Sequence, residues 1–255
     1  MSTPFEVVRA MLEVARVGPS DYLMDLGSGD GRIVVVAAES YGARAVGIER
    51  DADLVRESNE NARQAGVTDR VEFREADLFA TDMRGVSVLT MYLLPSVNLA
   101  LRLRILDQLA PGARVVSHAF DMGDWLPDEH LVVGGADVYL WIVPANAAGT
   151  WRLTVAGEGG APGASAEIEV LQRFQKVTVV ARGASAPLRI AGAELRGDEL
   201  SLDVVDRAGG GGRRRFTGRV ADGEIVGGFG DGRPARLERL RAGKIATDRT
   251  ARTAK

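Results

Sequence analysis

The chain has 255 residues, 45% of them hydrophobic, which suffices for one large domain or two small ones. The formal net charge of −3 excludes a strongly basic nucleic-acid-binding protein at the level of the whole chain, and we expect no nucleic-acid partner. The absence of cysteine and the presence of only two histidines exclude disulfides and argue against a metal site. The first residues lack the apolar region of a signal peptide and no apolar run is long enough to span a bilayer, so we expect a cytoplasmic protein without a membrane partner.

Short apolar runs alternate with helical stretches over residues 1–145. Strands are predicted at Tyr22–Gly27, Ala45–Ile48, Val71–Phe73, Val86–Leu93 and Val115–Phe120, with helices at Ile33–Tyr41, Ala52–Ala65 and from Pro95 to Leu109. This alternation predicts βαβ units and a parallel sheet with helices on both faces. Two further apolar runs, Leu131–Val133 and Val138–Val143, predict an antiparallel hairpin. We therefore predict an α/β domain over residues 1–145, in which a Rossmann-like, doubly wound sheet ends in an antiparallel hairpin.

The pattern changes after residue 145. Helical periodicity disappears, and short strand-like runs alternate with turns rich in glycine and aspartate, as is typical of all-β domains. Residues 149–240 are therefore predicted to form a small all-β domain, either a barrel or a meander, whose role the sequence leaves open. Residues 241–255 are basic and polar, and we predict a flexible tail there.

The segment DLGSGDGR, residues 25–32, lies at the turn from the first predicted strand to the first predicted helix. Its glycines permit positive φ angles and let the backbone approach a ligand closely. Glu49 follows the second strand, where an acid can accept hydrogen bonds from both hydroxyls of a ribose, and Asp77 follows the third, where it can meet the amine of an adenine. These positions predict a nucleoside-containing cofactor. The candidate ligand-binding residues of the loop are Asp25, Gly27, Ser28, Gly29, Gly31 and Arg32.

Two cofactors compete for this loop. The dinucleotide fingerprint is G-x-G-x-x-G, whereas the spacing here is G-x-G-x-G and the sixth position is Arg32. Asp25 and Asp30 also surround the loop with negative charge, which opposes a pyrophosphate but suits the cationic amino-acid end and the sulfonium of S-adenosylmethionine. We therefore predict S-adenosylmethionine rather than NAD as the cofactor, with S-adenosylhomocysteine as its product.

Four segments carry a family resemblance. They are Thr3-Pro4, the loop at residues 25–32, Tyr92-Leu93-Leu94-Pro95 with Val97-Asn98, and residues 115–122. With them, residues 3–144 resemble class I S-adenosylmethionine-dependent methyltransferases, in particular bacterial relatives of the mitochondrial lysine methyltransferases that modify the ATP synthase c subunit and the adenine nucleotide translocase. In class I enzymes the end of the fourth strand lines the transfer site, so the resemblance implies that Tyr92 and Leu93 face the donor methyl and the acceptor. It also implies that the segment from Thr3 folds over the donor. Thr3, Pro4 and Leu78, the neighbour of Asp77, complete the cofactor-binding candidates.

The sequence departs from that enzyme group in two respects. The membrane-targeting apolar segment of the group is absent, so we do not expect a membrane-embedded substrate. The predicted β domain is not part of the group's pattern, and its opening Gly149-Thr150-Trp151 resembles the G-x-W start of lipocalin- and avidin-like barrels. That resemblance implies that Trp151 plugs one end of a small barrel.

A protein lysine is the acceptor that the family resemblance implies. A lysine must lose its proton before it can accept a methyl group, because an ammonium has no free lone pair. Tyr92, His118 and Asp121 are the catalytic candidates near the acceptor. Two alternatives stay open: a small-molecule O- or N-methyltransferase, and a non-catalytic donor-binding scaffold whose β domain binds an apolar ligand or a partner. The oligomeric state is also open.

Overall fold

A computed structural model describes residues 2–156, 164–182, 188–206 and 212–247 of the chain. The chain divides into two compact units, Met1–Val143 and Pro144–Lys255. Within the described residues, no helix combines the length and the apolar character needed to cross a membrane.

The first unit is an α/β fold built on a seven-stranded sheet. Its helices are α1 (Phe5–Val14), α2 (Arg32–Tyr41), α3 (Ala52–Gln64) and α4 (Pro95–Gln108). Its strands are β1 (Tyr22–Leu26), β2 (Arg44–Glu49), β3 (Val71–Glu75), β4 (Val88–Met91), β5 (Arg114–His118), β6 (Glu129–Val133) and β7 (Ala136–Ile142). The strand order is β3-β2-β1-β4-β5-β7-β6, in which β1 to β5 are parallel and β7 runs antiparallel to both neighbours. The predicted Rossmann-like sheet with a closing antiparallel hairpin is therefore confirmed.

The strand order determines where a ligand can bind. The chain leaves β1 toward β2 and β3 on one side and continues with β4 and β5 on the other, so the order reverses beside β1. Open α/β sheets bind ligands at the carboxyl ends of the strands next to such a reversal. The sheet packs on a hydrophobic core in which Leu23, Val34, Val88 and Val116 are fully buried. The ends of β1, β2 and β4 are thus held on a rigid support.

Strand β4 is shorter than predicted. It ends at Met91, so Tyr92 and Leu93 lie on the connection to α4 rather than in the strand. Pro95 occupies the first helical position, where its missing N–H costs no hydrogen bond. The connection is therefore short, and its side chains lie at the carboxyl edge of the sheet.

The second unit is all β. Its strands are β8 (Gly149–Val155), β9 (Ala164–Arg173), β10 (Lys176–Ala181), β11 (Leu188–Arg196), β12 (Glu199–Asp206), β13 (Arg213–Ala221), β14 (Glu224–Phe229) and β15 (Pro234–Ala242). They form one antiparallel sheet in the order β10-β9-β8-β15-β14-β13-β12-β11, and the two edge strands β10 and β11 lie next to each other, so the sheet is nearly closed. This confirms the predicted small all-β fold of barrel type.

The core of the second unit follows from the alternation of its strands. Trp151, Leu153, Ile168, Leu202 and Phe216 point inward and are fully buried. The indole N–H of Trp151 donates to the carbonyl oxygen of Ala147 at 2.8 Å, so burial of this ring leaves no polar group unpaired.

Strand β15 extends two residues into the segment that was predicted as a tail. Arg241 and Ala242 belong to β15, where they pair with Thr150 and Gly149 of β8. Their backbone groups extend the sheet, which the basic composition of the segment did not indicate. Residues 248–255 of the predicted tail lie outside the described residues.

Candidate active site

The glycine loop between β1 and α2 has the backbone that its sequence predicts. Gly27, Gly29 and Gly31 all have positive φ angles, of 74°, 55° and 77°. A Cβ atom at Gly31 would lie 2.6 Å from the ring of Phe73, so this glycine is needed for packing as well as for its φ angle. A Cβ atom at Gly29 would meet no atom within 4 Å. Gly29 therefore faces open space, as expected of the residue over which a ligand lies.

Asp25 is a buried acid at the end of β1. Its Oδ1 accepts a hydrogen bond of 2.8 Å from the hydroxyl of Thr90 on β4. Burial raises the pKa of Asp25 to about 7, the nearby acids Asp30 and Glu49 act in the same direction, and only the Thr90 hydrogen bond opposes them. A cationic group placed beside Asp25 would therefore stabilise its ionised form.

Glu49 organises the loop from the end of β2. Its Oε2 accepts the N–H of Gly29 at 3.1 Å, and its Oε1 accepts the N–H groups of Arg50 and Asp51 at 2.8 and 3.1 Å. A carboxylate has about four acceptor positions, so roughly one stays available for a hydroxyl of a ligand. Glu49 is therefore placed to hold the loop and to accept a hydrogen bond from a ligand hydroxyl.

Asp77 lies after β3 on the same edge of the sheet. Its Oδ1 accepts the N–H of Phe79 at 2.8 Å, and its side chain is exposed. Leu78 is half-buried beside it. Asp77 thus stabilises its own turn and keeps its second carboxylate oxygen for other contacts.

Two residues of α3 hold the glycine loop and escaped the sequence analysis. Ser58 donates its hydroxyl to the carbonyl oxygen of Gly29 at 2.9 Å, and the Asn61 amide donates to the carbonyl oxygen of Asp30 at 2.9 Å. Ser58 and Asn61 are three residues apart and share one helix face. The sequence signal that could have identified them was this spacing of short polar side chains on α3, the second helix after the glycine loop.

Arg32 joins the loop to the N-terminal segment. Its guanidinium pairs with Asp30 and donates to the carbonyl oxygen of Thr3 at 2.9 Å. It also lies 5.1 Å from the ring centroid of Phe5. Pro4 is the N-cap of α1 and leaves Thr3 buried between Arg32 and β5. Arg32 is therefore placed to position Thr3 and Pro4 over the loop.

Three aromatic rings form a wall beside this loop. Tyr92 packs on His118 with ring centroids 4.0 Å apart, and Phe120 stacks on Tyr92 at 6.2 Å. The Nδ1 atom of His118 lies 3.1 Å from the hydroxyl of Thr3. Burial lowers the pKa of His118, so its ring is neutral at pH 7. Leu93 contacts the loop, since a Cβ atom at Gly27 would lie 2.8 Å from its Cδ2.

A buried asparagine, Asn98, holds the turn that carries His118 and Phe120 of the wall. The side-chain amide of Asn98 on α4 donates to the hydroxyl of Ser117 and to the carbonyl oxygen of Phe120, both at 3.1 Å. Between them Ala119 has a φ angle of 66°, which is rare for a residue with a side chain. Asn98 therefore holds a strained turn that presents His118 and Phe120 to Tyr92.

Asp121 does not join this cluster. Its Oδ1 accepts the N–H of Gly123 at 3.0 Å, and the residue is exposed. Among the predicted catalytic residues, the structure thus brings together Tyr92 and His118.

The loop and Tyr92 line a small cleft whose acidic residues suit the cationic end of a ligand. A cavity of about 80 Å³ is lined by Thr3, Asp25, Gly27, Gly29 and Tyr92, among others. The buried hydroxyl oxygen of Ser28 has no hydrogen-bond partner among the residues described. The acids would repel a pyrophosphate and attract a sulfonium and an ammonium. Over the same residues no group of three His, Asp or Glu side chains could hold a metal ion.

Comparison with known proteins gives matches to methyltransferases. The family model described as the ANTKMT methyltransferase domain matches residues 25–129. A protein-lysine N-methyltransferase of Saccharolobus islandicus (strain REY15A) is 40% identical over 146 residues, which make up 55% of this chain and 91% of that protein. The adenine nucleotide translocase lysine N-methyltransferase of Mus musculus is 33% identical over 142 residues, which make up 56% of this chain and 61% of the mouse protein.

A solved structure is similar over the same share of the chain. It is an RNA methyltransferase from Salinibacter ruber in complex with S-adenosyl-L-homocysteine, with 55% sequence identity and a TM-score of 0.55. The match covers 56% of this chain and 93% of that one. Each of these three proteins therefore matches just over half of this chain.

Proposed function

Because the chain belongs to the S-adenosylmethionine-dependent methyltransferases of the ANTKMT family, we propose that it methylates the side-chain nitrogen of a protein lysine. The predicted enzyme class and cofactor are confirmed by the family match and by the relative solved with S-adenosylhomocysteine. The alternatives of a small-molecule methyltransferase and of a non-catalytic scaffold are not favoured by these relatives.

One observation carries the proposed acceptor. The Saccharolobus islandicus relative, of which this chain covers 91%, is a protein-lysine N-methyltransferase. The aromatic wall of Tyr92, His118 and Phe120 is compatible with such an acceptor, because aromatic faces attract ammonium and methylammonium groups.

The donor contributes the reactive methyl group, and the chain contributes alignment. We propose that Asp25, Glu49 and the glycine loop hold the donor, with Asp77 and Leu78 beside its base. Tyr92 would orient the acceptor nitrogen in line with the methyl group, where proximity and exclusion of water lower the barrier. His118, held by the Thr3 hydroxyl, would pack as a neutral ring on Tyr92 and fix it, and water would take the lysine proton. We leave Asp121 out of this assignment because its carboxylate stabilises a local turn.

A second acceptor has a specific observation in its favour. The Salinibacter ruber relative, at 55% identity, is an RNA methyltransferase. A methyl-accepting nucleobase could also stack on the wall formed by Tyr92 and Phe120. RNA is therefore the second candidate acceptor.

Transfer from a labelled donor separates the two acceptors. The protein would be incubated with tritiated S-adenosylmethionine and either a total-protein or a total-RNA extract, and the products hydrolysed to amino acids or nucleosides. We expect label in methyl-lysine, and none when Gly29→Val replaces the wild type. Label in a nucleoside alone would refute the lysine proposal and support RNA.

A further inference from the structure

Charge is divided unequally between the two units. Met1–Val143 contains 13 arginines and 22 acids, a net charge of −9, whereas Pro144–Lys255 contains 19 basic and 13 acidic residues, a net charge of +6. The whole-chain charge of −3 conceals this difference. Our expectation that no nucleic acid binds rested on that whole-chain value, so it does not apply to the second unit taken alone.

The second unit has a basic groove of about 770 Å³ on its sheet. Five cationic side chains line it, Arg173, Lys176, Arg182, Arg241 and Lys244, together with a single acid, Glu169. Glu169 is paired with Arg182 at 2.6 Å. The lining residues of this basic groove therefore carry a net charge of +4.

Backbone pairing fixes the segments that carry most of these cations. Lys176 on β10 pairs directly with Arg173 on β9, and Arg241 on β15 pairs with Thr150 on β8. The N–H of Ala246 donates to the carbonyl oxygen of Gln172 at 3.0 Å, which holds the segment that carries Lys244 along β9. The backbone positions of Arg173, Lys176 and Arg241 are thus fixed by the sheet.

Three of these cations have no acidic partner among the residues that the structure describes. In the described part of the chain, Lys176, Arg241 and Lys244 form no ion pair. Like charges that line one groove repel each other, and a bound anion would reduce that repulsion. An anionic ligand that spans the groove would relieve this repulsion.

We propose that the basic groove binds the phosphate backbone of a single-stranded nucleic acid. Such a strand carries a phosphate at every residue, so a short length can meet all five cations, and the hydroxyls of Thr150 and Thr178 offer further donors. A duplex is wider and can contact only the rim of a groove. Among the described residues the lining includes no aromatic side chain on which a base could stack, so binding is independent of base sequence and sensitive to salt.

Fluorescence anisotropy with the full-length protein tests this proposal. The probe is a fluorescein-labelled twelve-nucleotide uridine RNA, titrated at several salt concentrations, with inorganic tripolyphosphate and a polyglutamate peptide as competitors. The groove variant combines Lys176→Gln, Arg241→Gln and Lys244→Gln. The control variant combines Arg213→Gln, Arg215→Gln and Arg219→Gln, which removes the same number of charges from β13, outside the groove.

We expect the groove variant to bind the RNA about tenfold more weakly or worse, with a salt slope smaller by roughly 0.7 for each phosphate that is no longer neutralised. The control variant should bind nearly as tightly as the wild type. Equal weakening in both variants, unchanged binding in the groove variant, or no binding by the wild type would overturn the proposal.

The two competitors show which class of anion the groove prefers. Displacement by tripolyphosphate at concentrations as low as those of unlabelled RNA would assign the groove to free polyphosphates, and equally effective displacement by polyglutamate would assign it to acidic proteins. Either result would overturn the proposal. Hydrogen exchange in β8, β12 and β15 should be as slow in both variants as in the wild type, which shows that the second unit is folded, and an unchanged S-adenosylhomocysteine affinity shows the same for the first unit.

Discussion

The hydroxyl of Thr90 donates a 2.8 Å hydrogen bond to the carboxylate of Asp25, and both residues are buried at the centre of the sheet. Among the described residues this is the only side-chain contact that favours the ionised form of Asp25. Burial and the charges of Asp30 and Glu49 favour the protonated form and raise the pKa of Asp25 to about 7. The candidate donor site therefore contains an acid whose pKa lies near neutrality.

Donor affinity should depend on pH through Asp25. A cationic ligand favours the ionised carboxylate, so below pH 7 binding must release a proton, and affinity should rise from pH 6 to pH 8 and then level off. Calorimetric titration of S-adenosylmethionine at several pH values measures this rise. Asp25→Asn, which keeps the shape and can still accept from Thr90, should bind more weakly and without the rise. A rise of equal size in Asp25→Asn would assign the titration to another group.

The same pKa makes a prediction for stability. The folded-state pKa of Asp25, about 7, lies above its ordinary value of 3.8, so between these values the folded protein binds more protons than the unfolded chain. The free energy of unfolding should therefore fall as the pH rises from about 4 to about 7, and Asp25→Asn should remove this part of the pH dependence. The measurement is urea unfolding of the ligand-free wild type and of Asp25→Asn, each at pH 5 and at pH 8.

Gly29→Val should abolish donor binding without unfolding the protein. The space in front of Gly29 is open, so the new side chain would occupy the ligand's place and reduce affinity by about 100-fold or more. Gly85→Val is the matched control, because Gly85 also has a positive φ angle and open space around it but lies in an exposed turn outside the cleft. If both variants lost affinity equally, backbone strain rather than the site would be the cause.

Asn98→Ala should lower turnover more than donor affinity. The substitution removes the donors that hold Ser117 and Phe120, so His118 and Phe120 would no longer be fixed against Tyr92. We expect kcat to fall by about 10- to 100-fold, since small misplacements of a positioned group are costly, with little change in S-adenosylhomocysteine affinity. Ser96→Ala, an exposed position on the same helix, serves as the control. Parallel losses of kcat and donor affinity in Asn98→Ala would indicate general unfolding instead.

Trp151→Ala should destabilise the second unit. The Trp151 ring is fully buried, its N–H is bonded to Ala147, and the Arg239 guanidinium lies 4.3 Å from its ring centroid. Loss of this side chain should cost about 3–5 kcal/mol. Hydrogen exchange resolved along the chain is the suitable probe. Protection should fall in β8 and β15 while β1 and β4 of the first unit stay protected, and unchanged protection in β8 would contradict a core role for this ring.

The sequence by itself determined the fold class of both units and the kind of ligand. Alternation of apolar runs with helical periodicity is a local property, so it predicted the parallel sheet of the first unit and the all-β second unit. The loop at residues 25–32 likewise carries its conformation in its glycines, and the positions of Glu49 and Asp77 after successive strands required only that parallel strands end on one edge. These inferences needed no knowledge of distant contacts.

Only the tertiary structure decided which side chains meet. The hydrogen bonds of Thr90 to Asp25 and of Thr3 to His118 join residues 65 and 115 positions apart, and no local pattern records such pairs. The exclusion of Asp121 from the wall depended on a turn that uses its carboxylate. The basic groove depended on sheet pairing that brings the cations of residues 173–182 and 241–244 to one groove. Net charge is a sum over the chain and says nothing of where charges gather. Their arrangement is a product of folding, because only packing brings residues distant in sequence within reach of one another.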